Sequence, residues 1–389
     1  MPEKVCRLLD FALSRAVPSC VCAVALVTTT LTAQNAHAQS TPPSARPQPV
    51  ADSAASSSSN TSRTVAQTSA APDTALRVVL LLPLDSALLK RAAATVRDGA
   101  NAVFATRKNE VNVTECAYGG GSGAETVTAA YERCVDKRTD WVIGPLGRAD
   151  VTALALAKLS TPRPTLMLSA LGTVPPNSMA VLAPDLESEA EAVAQQAMAD
   201  ACRAPILVES SGALSSRVTV AVAAYWREQN AIKLQQAALG ERTAWRRATD
   251  GWRRDNVDCV IFAGSGAVLS ELLPYLRGMS VYMTSATYEV APDRTTDWTG
   301  LRIADAPWLV DGEREEFAPY APTEKLPPTL ARLYALGVDA ARLASAAGRD
   351  VLPRSFDGAI GLLTLKDGQY RRQPMVGEFR DRAPVKLGQ

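Results

Sequence analysis

From Arg77 onward the chain alternates between two kinds of segment. RVVLLLPL is a continuous apolar run, the pattern of a strand buried on both faces of a parallel sheet. SALLKRAAATVRDGANAVFATRK follows, with Leu89, Val96, Ala100 and Val103 on one helical face and Asp85 or Ser86 as the cap. The unit then repeats. EVNVTECAY, DWVIGPL and PTLMLSA read as strands, and AETVTAAYERCVDK and ADVTALALAKL as helices between them. A second series starts near Pro205 with PILVESS, KLQQAAL, VDCVIFAGSG and SVYMTSATY as strands. SRVTVAVAAYWREQN, TAWRRATDGWRRDN and AVLSELLPYLRG are its helices. LRIADAPWLV, a long helix LPPTLARLYALGVDAARLASAA and a hairpin turning at Lys366-Asp367-Gly368 finish the chain.

Strand and helix in alternation predict right-handed crossovers and open parallel sheets. The expected fold class is α/β, in two lobes, each a parallel sheet flanked by helices. Lobe one is expected at about 77–184 and 300–348, lobe two at about 185–299 and 349–380.

The first 75 residues lie outside this pattern. Lys4, Arg7 and Arg15 precede an apolar stretch, and Ala36-His37-Ala38 supplies a small-residue cleavage site. Residues 1–38 therefore read as a signal peptide, which places the mature chain in the periplasm. The rival reading is a lipoprotein acylated on Cys20, although the apolar run follows that cysteine instead of preceding it. Residues 39–75 are rich in Ser, Ala and Pro, with too little apolar side chain to bury, and are expected to be a disordered linker.

Removing 1–38 takes three basic and two acidic residues from the 41 and 40 of the full chain, which leaves a formally neutral protein. No strong field for nucleic acid is expected. His37, the single histidine, leaves as well, and with it any imidazole base or His-ligated metal. Four cysteines remain: Cys116, Cys134, Cys202 and Cys259. An even number in an exported chain suggests disulfides. Of three possible pairings, Cys116–Cys134 with Cys202–Cys259 is preferred, since Cys116 ends a strand and Cys134 lies on the next helix; four buried free thiols are the alternative.

The segments RVVLLLPLDS, RDGANAVF, DWVIGPL, PTLMLSAL, VYMTSATYE, DAPWLV, LYALGVDAARLA and FDGAIGLLTL, in that order, resemble the type I periplasmic binding fold, and most of all the penicillin-binding protein activators of the LpoA/LppC type. The resemblance spans about residues 77–380. It implies a noncatalytic periplasmic protein that docks on a class A penicillin-binding protein and stimulates peptidoglycan synthesis. No cofactor is implied. The alternative within the fold is a solute-binding protein for an amino acid or similar small ligand.

Ligands of open α/β sheets sit beyond the carboxyl ends of the strands. The cleft candidates are therefore Asp85, Ser86, Gly144, Pro145, Ser169, Ser210, Ser285 and Tyr288, with small hydroxyls and backbone N–H groups available for a carboxylate. Serine and aspartate at such places also cap helices and turns. GGGSGAET nearly fits a nucleotide fingerprint but follows the second strand, where a flexible loop is expected. On TAWRRATDGWRRDN, Trp245 and Trp252 share a face, flanked by Arg246 and Arg253, which makes a candidate partner surface. The same pattern describes a helix whose tryptophans cover a sheet. No Ser stands three residues before a Lys, and K-T-G and S-D-N are absent, so a transpeptidase residue set is missing.

Overall fold

The computed structural model describes residues 74–119, 125–229, 232–289 and 295–388. The expected signal peptide, nearly all of the linker and the centre of GGGSGAET fall outside them. The chain divides after Thr68, and every described residue belongs to the unit Ser69–Gln389.

The first series builds β1 (Leu76–Leu82), α1 (Lys90–Ala105), β2 (Val111–Ala117), α2 (Val127–Cys134), β3 (Trp141–Ile143), α3 (Arg148–Leu156), β4 (Thr165–Met167) and β5 (Met179–Val181). The second builds α4 (Leu186–Ala199), β6 (Pro205–Glu209), α5 (Ala213–Glu228), β7 (Gln235–Ala238), α6 (Trp245–Arg254), β8 (Cys259–Ala263), α7 (Gly266–Leu272), β9 (Ser280–Thr284) and β10 (Arg302–Asp305). Then come α8 (Pro307–Val310), α9 (Pro328–Ala347), β11 (Ser355–Asp357), β12 (Leu362–Lys366), β13 (Gln369–Gln373), β14 (Met375–Arg380) and β15 (Ala383–Lys386).

Two sheets result, with orders β11-β12-β13-β5-β4-β3-β1-β2 and β15-β14-β10-β9-β8-β6-β7. Each has five parallel strands in the same winding order; late strands extend the first sheet by β13, parallel to β5, and then antiparallel β12 and β11, and the second by antiparallel β14 and β15. The apolar runs of β1, β6 and β8 are buried on both faces because helices cover both sides.

The expected lobe boundaries need correction at two places. Residues 300–348 were assigned to lobe one, but β10 pairs with β9 in the second sheet. Residues 349–380 were assigned to lobe two, but β11 to β13 extend the first sheet, with β13 beside β5 at Gln369 and Val181. The cause is α9, which packs on α1 and returns the chain to lobe one. A carbon placed on Gly99 would collide with the Tyr334 carbonyl, and one on Gly337 with the Val96 carbonyl, so the two helices touch backbone to backbone. The hairpin at Lys366–Gly368 turns through Asp367 and Gly368, both with positive φ (51° and 73°).

α1 starts later than expected. Leu89 is its cap position, and neither Asp85 nor Ser86 caps it; Ser86 instead accepts the Leu89 N–H at 3.2 Å in the turn before the helix. Cys116–Cys134 and Cys202–Cys259 are disulfide-bonded. The first pins α2 to β2, and the second ties the segment after α4 to the start of β8. Among the described residues no helix is long and apolar enough to cross a membrane.

Candidate functional site

A cleft of ≈ 470 Å³ opens where both lobes contribute. Lobe one supplies Leu146 after β3, Leu168, Ser169 and Ala170 after β4, and the Ala183–Asp185 connection. Glu187 of α4 and Arg217 of α5 come from lobe two, and α9 adds Leu333 and Leu336. Most of the lining is apolar. Glu187 and Arg217 pair at 2.8 Å. The exposed Arg148, at the start of α3, has no ion-pair partner among the described residues.

Of the expected cleft residues, only Ser169 lines this space. Gly144 and Pro145 are buried beneath it and set the turn that presents Leu146. Gly144 has φ of 115°, and a side chain there would strike the Leu81 carbonyl, so only glycine fits. Asp85 is exposed and Ser86 half-buried, both outside the cleft lining. Ser210 is buried, with its N–H donated to Ala263. The Tyr288 ring faces inward and packs edge-on against Phe379 (5.1 Å) and Trp298 (6.1 Å).

The tryptophan helix also turns inward. Trp245 and Trp252 are both buried in the core between α6 and the second sheet, which removes them from any partner surface. Trp245 donates its indole N–H to the Gly240 carbonyl at 2.8 Å. Arg246 and Arg253 remain exposed, and Arg253 bonds Asp250 and the Tyr275 carbonyl.

The most tightly organised polar cluster joins the lobes at their chain crossings. Among the described residues the chain passes between lobes three times: at Ala183–Asp185, between β10 and α9, and at Pro374 between β13 and β14. Arg372 of β13 reaches Glu189 of α4 at 2.6 Å, and both side chains are almost wholly buried (2% and 3% exposed). The same Nη2 donates to the Asp185 carbonyl at 2.6 Å, and Nη1 to the Ile360 carbonyl. The other Glu189 oxygen accepts the Ser285 N–H at 2.8 Å. Arg332 of α9 grips Asp305 at the end of β10 with both arms of its fork, at 2.7 and 2.5 Å, and donates to the Tyr288 carbonyl at 2.9 Å. Asp305 is fully buried.

Asp339 of α9 supports this cluster. It accepts the N–H groups of Ala359 and Ile360 at 2.7 and 2.8 Å, and the Ala359 carbonyl in turn accepts from Trp308. Burial pushes its carboxyl up to about 6, against the pull of those donors and of Arg342. Burial likewise pushes Glu189 upward, opposed by Arg372 and Arg332. Burial works against the charge on Arg332 too, but Asp305 outweighs it and keeps the guanidinium firmly protonated.

Sequence reasoning missed Glu189, Asp305, Arg332 and Arg372. No local pattern signals them: Glu189 looks like one of several acids on an Ala/Glu helix, and its partner lies 183 residues away. The acid in Ile-Ala-Asp-Ala-Pro, a charge at the end of an apolar strand, was the one available hint.

The described geometry has solved relatives. A Chromobacterium violaceum protein, described as a putative branched-chain amino acid ABC transporter, superposes with TM-score 0.68 at 29% identity, over 78% of this chain and 100% of that one. The C-domain of Haemophilus influenzae LpoA, described as a regulator of PBP1A, gives TM-score 0.64 at 20% identity over 80% of this chain and 99% of that one. Against full-length LpoA of that organism the TM-score is 0.65 at 20% identity, and the chain covers 59% of its length. No curated protein matches the sequence. The family model described as "LppC putative lipoprotein" matches residues 63–375, nearly the whole described fold, and the chain belongs to the LppC family.

Proposed function

We propose that this chain is a noncatalytic envelope protein that binds and stimulates a class A penicillin-binding protein in peptidoglycan synthesis. The observation that carries the reading is where the strand-end groups go. Just past the carboxyl end of β9 in lobe two, the Ser285 N–H is donated to Glu189 and the Tyr288 carbonyl accepts from Arg332, so these backbone groups are taken by the protein itself. Such a molecule works through its outer surfaces more readily than through a captured solute. Membership of the LppC family, and the likeness to a protein described as a regulator of PBP1A, supply the class of partner.

The noncatalytic part of the proposal rests on the sequence. Cleavage after Ala38 leaves no histidine, acylation at Cys20 would keep only His37, ahead of the folded unit, and no transpeptidase residue set is present in either case. The lipoprotein description of the family gives weight to acylation of Cys20, and that reading and cleavage after Ala38 both send the chain to the periplasmic side.

The test is a reconstituted synthase. Adding the purified chain to a class A penicillin-binding protein with lipid-linked substrate should raise the initial rate of glycan synthesis, and the two proteins should co-sediment. The absence of both binding and a change in rate would overturn the proposal. The apolar cleft and the Chromobacterium likeness favour a second reading, capture of a small amino acid. It predicts a thermal shift with free leucine or related amino acids, since a ligand of the native state raises its melting point.

A further inference from the structure

We infer that the hinge of this protein is braced, so that its two lobes hold a single relative orientation. A clamshell motion concentrates backbone change in the few residues where the chain crosses between lobes. Here those residues are tied to one another. Arg372 stands two positions before the third crossing and holds the Asp185 carbonyl in the first. It also holds Glu189, four positions after Asp185. Asp305 ends the last strand before the second crossing and is gripped by Arg332 beyond it. The loop ahead of β12 joins the same set, through Ile360 to Arg372 and through Ala359 to Trp308 within the second crossing.

Both arginines come from lobe-one elements, and both acids from lobe-two elements. The two pairs therefore act between lobes and contribute to neither core alone. A rotation at any crossing pulls on charge-assisted bonds anchored at another, in a region with almost no water to replace them. The braced hinge stands independently of the identity of any partner, so failure of the synthase experiment leaves it intact.

Spin labels on Leu88→Cys in lobe one and Leu214→Cys in lobe two, both exposed positions, report the interlobe distance by pulsed electron resonance. With the hinge intact, one narrow distance distribution is expected, unchanged by saturating leucine. The added pair Arg332→Leu/Asp305→Leu should broaden it. If that pair prevents folding, Arg332→Lys replaces it, because an ammonium cannot grip both carboxylate oxygens in the same fork. A broad or two-peaked distribution with the hinge intact, or a shift on adding leucine, overturns the proposal. A distribution that stays narrow in the folded hinge variant overturns it as well.

Discussion

Arg372 on β13 and Glu189 on α4 meet at 2.6 Å from opposite lobes, and neither side chain is more than 3% exposed. Sequence separation gives no sign of the pairing. It decides how the second half of the chain is tied to the first.

A buried ion pair costs most when half of it is removed, because the remaining charge has no partner and little water. Arg372→Ala should therefore destabilise the fold by about 3–5 kcal/mol. The double variant Glu189→Leu/Arg372→Met should lose clearly less than the sum of its single changes. Urea midpoints of the four proteins of the cycle check this, and additive effects would count against the pairing.

Asp339 gives a signed pH prediction. Its folded value, about 6, lies above the ordinary value of 3.8. The folded state thus holds the proton more tightly, and the associated stability is full below about 4 and fades as pH rises towards 6. Across that window the contribution falls by about 3 kcal/mol. The stability of the unsubstituted protein minus that of Asp339→Asn should decline between pH 4 and 6 and level off above it. Melting curves across that range test the sign, and a difference that rises with pH would refute it.

Gly337→Ala separates two opposing effects. In an ordinary helix interior the change would stabilise by about 1 kcal/mol. At this position the new carbon meets the Val96 carbonyl across the α1–α9 contact. Overpacking of this kind costs about 1–3 kcal/mol, so net destabilisation is expected. A raised melting temperature would show that the helices are not in backbone contact.

Reduction should act unequally on the two disulfides. Cys202–Cys259 closes a span of 57 residues and Cys116–Cys134 one of 18. Loop-closure entropy assigns about 4 kcal/mol to the longer and about 3 kcal/mol to the shorter. Paired Cys→Ala replacements, with melting followed by circular dichroism, should rank Cys202/Cys259 as the more harmful. Peptide mapping without reduction checks the pairing itself.

The strands β1, β3, β6, β8 and β9 were legible because helices on both sides of a parallel sheet demand long apolar runs. α4 was not. Its buried face is largely alanine with a charged Glu189, so little contrast separates it from its surface. β5 has three residues, too few for periodicity to register. Periodicity also reports which face of an element is apolar and not which sheet receives it; hence the misplacement of β10 and of β11 to β13. At the candidate site, Ser169 and the Gly144–Pro145 turn followed from strand ends. The hinge charges did not, since each pair joins distant segments. Trp245 and Trp252 were ambiguous for a related reason: a shared helix face looks the same whether it meets a sheet or a partner.

The interleaved connectivity has a consequence for how the chain matures. The first sheet takes its last three strands from residues 355–373, long after the second series has been laid down. Neither half can therefore finish as an independent folding unit while translation or export proceeds from the amino terminus. Both remain incomplete until the final tenth of the polypeptide arrives. Early termination anywhere ahead of Arg372 should thus yield two defective halves and expose chaperone-binding surface, where a beads-on-a-string protein would keep one sound domain.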